Sequence, residues 1–203
     1  MDELGLFPLN TVLLPGEQAP LHVFEDRYKD LIGECLDEGG EFGLVLADED
    51  GIREIGTRAG VVEVLERFPD GRLNIVVEGR DRFRLVELTE GRSYMTAEVD
   101  ELEDELDDPS AEEVEQCLAA YRRVLDAAGA DLEDLDPKAD SIAYQIAARV
   151  DFGTDVKQGL LELRSERQRV LRLAPMLDKA AEAVARDREI RERASGNGRV
   201  EAL

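Results

Sequence analysis

The side chains that most often carry catalysis are few in this chain. Its single histidine is His22, and its two cysteines are Cys35 and Cys117. A catalytic thiol needs a neighbouring base that holds it as the thiolate. His22 would therefore have to meet Cys35 or Cys117 in the fold. Cys35 falls on the apolar face of a predicted helix, where thiols are buried and inert. We predict structural cysteines, and a hydrolase with a cryptic Cys35 or carboxylate site is the alternative.

Motifs for metal, phosphate or acyl-transfer chemistry are missing from the sequence. One histidine cannot form a two-histidine metal site, and the acidic run at 100–108 lacks the alternating aspartates and central glycine of a calcium loop. No Gly-Lys pair is present, and no serine stands in a Gly-x-Ser-x-Gly elbow. We predict no metal, no cofactor and no enzymatic activity. His22 follows Pro20-Leu21 on a predicted core-facing strand, which favours a structural role.

The acidic charge of the chain lies almost wholly in its first part. The 203 residues carry a formal net charge of −23, and residues 1–115 contribute −22 through 32 acidic and 10 basic residues. Such a surface repels nucleic acid and anionic membrane. The N-terminus lacks the basic region of a signal peptide, and no apolar run reaches the roughly 18 residues of a membrane span. We therefore predict a cytoplasmic protein with neither of these partners.

The chain divides into two parts with different sequence patterns. The front reads as short strands separated by turn pairs such as Pro15-Gly16, Asp50-Gly51 and Asp70-Gly71, with one helix over 25–36. Strands are predicted at 42–47, 60–68, 73–78, 82–88 and 94–99, with Gly79 as a bulge or corner.

The rear reads as helices, after an acidic junction at 98–115. Capping boxes at Ser110 and Ser165 open two helices, and Asp136-Pro137 opens another. Pro175 is predicted to kink or divide the long last helix. We predict domains at 1–104 and 110–195, followed by a disordered tail at 196–203.

Several blocks of the front resemble a known family. They include Leu6-Phe7-Pro8-Leu9, Val12 to Gly16, Pro20 to Tyr28, Phe42 to Leu46, Arg72 to Phe83 and Tyr94 to Val99. In this order the blocks are similar to the N-terminal substrate-binding domain of the ATP-dependent protease Lon. The stretch Gln158 to Glu162 resembles the family's helical segment. The chain looks like a stand-alone protein of this family, without the ATPase and protease domains.

The resemblance implies an α+β fold in which a PUA-like β-barrel precedes an α-helical bundle with a long last helix. It also implies the binding of unfolded or flexible polypeptide rather than chemistry, in the role of an adaptor. The acidic front favours basic client segments. The candidate binding groove lies beside the first loop and helix, and its predicted residues are Leu14, Pro20, Leu21, Phe24 and Tyr28.

Individual motif residues have structural interpretations as well. Phe24, Leu31 and Phe83 are predicted in the core, and Arg27 and Arg82 are predicted to pair with nearby carboxylates. PUA-like folds elsewhere bind RNA, which makes RNA binding a further alternative, disfavoured here by charge.

Overall fold

The computed structural model describes residues 2–131, 135 and 141–196. Contacts between Cα atoms group the chain into two units. The first unit contains residues 1–105 and 147–164, and the second contains residues 106–146 and 165–203. The segment 147–164, which the sequence-based division assigned to the helical part, thus packs with the front of the chain.

The first unit contains a seven-stranded sheet and two helices that lie wholly within it. Its strands are β1 (Asp2–Leu9), β2 (Gln18–Val23), β3 (Phe42–Asp48), β4 (Gly51–Ile52), β5 (Ile55–Arg67), β6 (Leu73–Thr89) and β7 (Thr96–Glu101). Its helices are α1 (Asp26–Glu38) and α4 (Thr154–Leu161). The sheet order β1-β7-β6-β5-β3 is closed by parallel pairing of β1 with β3, so these strands form the predicted barrel. β2 pairs with β6 outside this ring.

Alternating apolar residues explain the longest strand. Leu73, Ile75 and Val77 of β6 are buried, and the residues between them are partly exposed, as one inward face of a strand requires. We predicted two strands here, but β6 is continuous through Gly79. The strand continues because Gly79 has no side chain where the loop before β2 crosses it: a Cβ atom there would lie 2.3 Å from the Leu14 carbonyl oxygen.

The predicted first helix is confirmed as α1. Tyr28, Leu31, Ile32 and Cys35 fall on one face and are buried, as the 3.6-residue period requires. The helix ends at Gly39, whose φ of 67° is a left-handed conformation that glycine adopts without strain.

Residues 147–164, which we call the returning segment, are attached to the barrel by buried polar groups. The Arg82 guanidinium donates to the carbonyl oxygens of Leu161 (2.7 Å), Leu163 (2.6 Å) and Leu102 (3.3 Å), and it also pairs with the Asp104 carboxylate. Arg82 is 5% exposed. The predicted pairing of Arg82 with a carboxylate is confirmed. Its three hydrogen bonds to backbone carbonyl oxygens were not predicted from the sequence.

Two side chains of α4 make further bonds within the same unit. Gln158 Nε2 donates to the Ile55 carbonyl oxygen at 3.1 Å. Lys157 Nζ donates to the Glu17 carboxylate at 2.6 Å. The segment that resembles the family's helical stretch therefore bonds directly to the start of β5 and to the loop before β2.

The second unit is helical and contains α2 (Ala111–Ala128) and α5 (Glu166–Gly196), while α3 (Ile142–Arg149) extends from the second unit into the first. The capping box at Ser110 and Glu113 is present, and Gly129 ends α2. Ser165 Oγ accepts the backbone N–H of Gln168 at the start of α5. Asp136-Pro137 and residues 197–203 lie outside the described residues.

Of the two outcomes predicted for Pro175, a kink or a division, the division does not occur, because α5 continues from Glu166 to Gly196 with Pro175 inside it. Pro175 is exposed, so the carbonyl that loses its hydrogen bond lies on the solvent side of the helix, where water can replace the partner. Among the helices that the structure describes, none is long and apolar enough to cross a membrane.

Candidate polypeptide-binding surface

The structure separates the five residues of the predicted groove. Leu14 and Tyr28 are 0% and 6% exposed, so both belong to the core and are closed to a client. The Tyr28 ring lies against Phe7, with centroids 4.0 Å apart. Leu21 is half-buried, whereas Pro20 and Phe24 are exposed. The groove is therefore not formed as predicted, and its accessible residues belong to β2 and the turn after it.

Two predicted core positions are also corrected by the structure. Phe24 is 59% exposed and His22 is exposed, although we placed the first in the core and the second on a core-facing strand. Both corrections have one cause. Ala19, Leu21 and Val23 direct their side chains to the core, and His22 alternates with them onto the outer face. Leu31 and Phe83 are buried as predicted.

The exposed His22 and Phe24 and the half-buried Phe68 form an aromatic cluster on this outer face. The rings of His22 and Phe24 are stacked with centroids 5.9 Å apart, and Phe68 meets the His22 ring edge-on at 6.2 Å. Together with Pro20, we call these residues the aromatic patch. Phe68 was missed by the sequence analysis, although its place before the Pro69-Asp70-Gly71 turn is a signal for an aromatic residue at a hairpin tip.

A chain of hydrogen bonds holds the central ring of the patch. His22 Nδ1 lies 2.6 Å from Asn74 Oδ1, which accepts the bond, and Asn74 Nδ2 donates to Glu66 at 3.1 Å. The three residues come from β2, β6 and β5 and lie opposite one another in the sheet. The bonds orient the imidazole between the two phenyl rings. The histidine is thus part of a fixed apolar surface rather than a base beside a thiol.

The cross-strand rows beside the patch are acidic, while the Arg72 guanidinium lies over the Phe68 ring, 4.8 Å from its centroid. One cross-strand row contains Pro20, Val76 and Glu63, the next contains His22, Asn74 and Glu66, and Gln18 lies beside Glu78. These rows carry three glutamates and no lysine or arginine. An apolar surface bordered by carboxylates suits a segment that combines apolar and basic residues.

A cavity of about 150 Å³ lies elsewhere on the first unit, between α1 and the ends of β1 and β7. Its carboxylate Glu34 accepts bonds from the Tyr94 hydroxyl (2.6 Å) and from the Arg92 guanidinium (2.5 Å). Burial and the Glu34 carboxylate raise the pKa of Tyr94 to about 12. Glu34, Arg92 and Tyr94 thus form one hydrogen-bonded group in this cavity.

The sequence also matches a family of known domains. Residues 3–179 match the family described as the ATP-dependent protease La (LON) substrate-binding domain. The chain belongs to this family. The Lon proteases of Flavobacterium johnsoniae and Escherichia coli K12 are 26% and 24% identical to it, over 83% and 94% of this chain. The chain spans only 23% and 26% of the lengths of those two relatives.

Solved structures of the Lon N-terminal domain share the fold. A Lon N-terminal domain protein from Xanthomonas campestris superposes with a TM-score of 0.67 and 26% identity, covering 85% of this chain and 97% of the other. The N-terminal domain of Mycobacterium avium complex Lon protease gives a TM-score of 0.64 at 18% identity, covering 87% and 98%. These matches confirm the predicted barrel and helical part, and the Lon substrate-binding family supports a substrate-binding module.

The thiols of this Lon-family domain are not prepared for nucleophilic attack. Cys35 and Cys117 are both free and buried. Burial, reinforced by Glu34, Glu38 and Glu41, raises the pKa of Cys35 to about 11. Burial, with Glu166, raises the pKa of Cys117 to about 11 as well. Their environments therefore oppose formation of the thiolate, which is the reverse of what a cysteine hydrolase requires.

We expect both thiols to resist alkylation in the folded protein. At pH 8 a thiol of pKa about 11 is on the order of 0.1% thiolate, against roughly a quarter for an unperturbed cysteine. Iodoacetamide labelling followed by mass spectrometry should be at least about 100-fold slower in the native protein than in urea. Native labelling of Cys35 as fast as that of the unfolded chain would contradict this environment and reopen the hydrolase alternative.

Proposed function

We propose that this chain is a non-catalytic module that binds unfolded or flexible segments of client proteins at the aromatic patch. The observation that carries the proposal is the exposure of Phe24, which directly follows β2 and whose ring stacks on His22, itself in edge-on contact with Phe68. Exposed, pre-ordered aromatic rings are the usual anchors of protein interfaces, because little side-chain entropy is lost when they bind. Membership of the Lon substrate-binding domain family supports a polypeptide ligand.

The proposed clients are segments with basic and apolar residues. Glu63, Glu66 and Glu78 border the patch, and the chain as a whole carries −23. Basic side chains on a client would approach these carboxylates in solvent, so their contribution falls as salt screens it. The same charge argues against RNA, whose affinity depends on neutralised phosphates.

Removal of the two phenyl rings is expected to abolish most of the binding. In Phe24→Ser/Phe68→Ser, affinity for fluorescent unstructured peptides of mixed basic and apolar residues should fall about tenfold or more, measured by anisotropy. Val86→Ser/Leu88→Ser is the matched control, since these residues are also exposed apolar side chains of β6 (47% and 49%) but lie outside the patch. Equal losses in the two double variants would argue against a site at the patch. No binding of any peptide to the unaltered protein would rule out the function.

A further inference from the structure

The strand that carries the patch has a free edge. In the part of the chain that the structure describes, β2 pairs with β6 alone. Next to this pairing, the Gly79 N–H donates to the Glu17 carbonyl oxygen (2.9 Å), and the Gly16 N–H donates to the Gly79 carbonyl oxygen (2.8 Å). Glu17 therefore directs its carbonyl group towards β6. This fixes the side to which the backbone N–H and C=O groups of each following β2 residue point.

The direction of the β2 backbone groups follows from this bond. Successive residues of a strand direct their N–H and C=O groups to opposite sides. Ala19, Leu21 and Val23 therefore bond to β6, while Gln18, Pro20 and His22 direct their backbone groups to the free edge. Pro20 fits this pattern because it lacks an N–H and is tolerated where no donor is needed for the ladder. All three outward-directed residues are exposed. The edge therefore offers three carbonyl acceptors and two N–H donors.

We propose that the client segment binds as an added β-strand along this edge of β2. The inference rests on the proposed function and specifies how the site holds its ligand. An unfolded segment has unpaired N–H and C=O groups whatever its sequence, so pairing with an edge allows many clients to bind. Its side chains would alternate between two environments. One set would lie on the outer face beside the aromatic patch and its glutamates, and the other would pack on the half-buried Ala19 and Leu21.

The second open edge of this part of the sheet is less suited to pairing. β5 pairs with β3 only at residues 57–59 among those described, so residues 60–67 also have a free side. Register shifts between Val61 and Glu63 and between Val64 and Glu66 interrupt the regular spacing of its backbone groups. Bulges of this kind protect sheet edges against an added strand. β2 has no such irregularity, which favours it as the acceptor.

Replacement of Pro20 distinguishes a client that pairs with the β2 backbone from one that only contacts its side chains. Pro20→Ala restores an N–H on the free edge, so affinity should rise about two- to tenfold if the client pairs there. If the proline ring only contacts the client, the same change removes apolar surface and weakens binding. Pro109→Ala is the control for the loss of a proline outside β2. Unchanged or weaker binding by Pro20→Ala would overturn the pairing.

Methylated peptides test the same inference with the unaltered protein. The probe is a peptide of alternating lysine and valine, about nine residues long, compared with versions N-methylated at all lysines or all valines. In antiparallel pairing the lysines lie on the outer face and their amides face β2, so lysine methylation should weaken binding about tenfold relative to valine methylation. Equal affinity of the two methylated peptides would overturn the pairing while leaving the proposed function intact. Failure of the unmethylated peptide to bind would remove both.

Discussion

The variant Gly79→Ala is expected to lower the free energy of unfolding of the first unit by about 3 kcal/mol. The new Cβ atom would lie 2.3 Å from the Leu14 carbonyl oxygen and 3.1 Å from Leu13 Cγ. The loop has little freedom to retreat, because backbone bonds of Gly16 and Glu17 hold it to Gly79 itself. Thr57 Oγ1 also donates to the Leu13 carbonyl oxygen at 2.6 Å. Thermal and urea unfolding monitored by circular dichroism will measure the change.

Gly33→Ala provides the matched control for this substitution. Gly33 lies within α1, and a Cβ atom there would have no neighbour within 4 Å. Alanine is the better helix former by about 1 kcal/mol, so this variant should be equally or more stable than the unaltered protein. If Gly79→Ala were as stable as Gly33→Ala, the loop before β2 would have to lie further from β6 than the structure places it.

Arg82→Met is expected to destabilise the first unit by about 3–5 kcal/mol. The substitution keeps much of the side-chain volume but removes the donors to Leu102, Leu161 and Leu163. The carbonyl oxygens lose this donor where water has little access, since Arg82 is 5% exposed, and the ion pair between Arg82 and Asp104 is lost as well. A buried acceptor without a donor costs far more than the net value of the bond.

The neighbouring Arg80→Met isolates the effect of burial. Arg80 lies two residues away on β6 and pairs with Glu41 at 2.5 Å, but its side chain is 49% exposed. Exposed ion pairs contribute at most about 1 kcal/mol. Urea titrations of the two variants should therefore differ by several kcal/mol. Equal stabilities would show that the buried arginine bonds are not needed to attach the returning segment.

Local signals in the sequence predicted local structure well. The capping box at Ser110 and the buried face of α1 depend on residues within one or two helical turns of each other, so spacing alone identifies them. Resemblance identified the family, and with it the barrel, which the family comparison confirms. Arg82 was correctly predicted to pair with a carboxylate, because acidic residues are abundant throughout residues 1–115.

The aromatic patch depended on information that neither of its segments contains by itself. Phe24 and His22 looked like core residues because both follow apolar positions. Their exposure follows from which face of β2 packs on the core, and that face is set by pairing with β6, more than fifty residues later in the chain. Leu14 looked accessible because it precedes a Pro-Gly turn, yet its loop is buried against Gly79. Neither segment alone reveals which strand it pairs with or in which register.

The first unit consists of two segments that are separate in sequence, so they are synthesised at different times. Residues 1–105 leave the ribosome long before residues 147–164, which belong to the same unit. At roughly 5–20 residues per second, the acceptors at Leu161 and Leu163 reach Arg82 about 3–12 s after the strands have been translated. During that interval the Arg82 guanidinium has only its partners within residues 1–105, the Leu102 carbonyl oxygen and the Asp104 carboxylate, so the nascent barrel should be less stable until Leu161 and Leu163 have been synthesised.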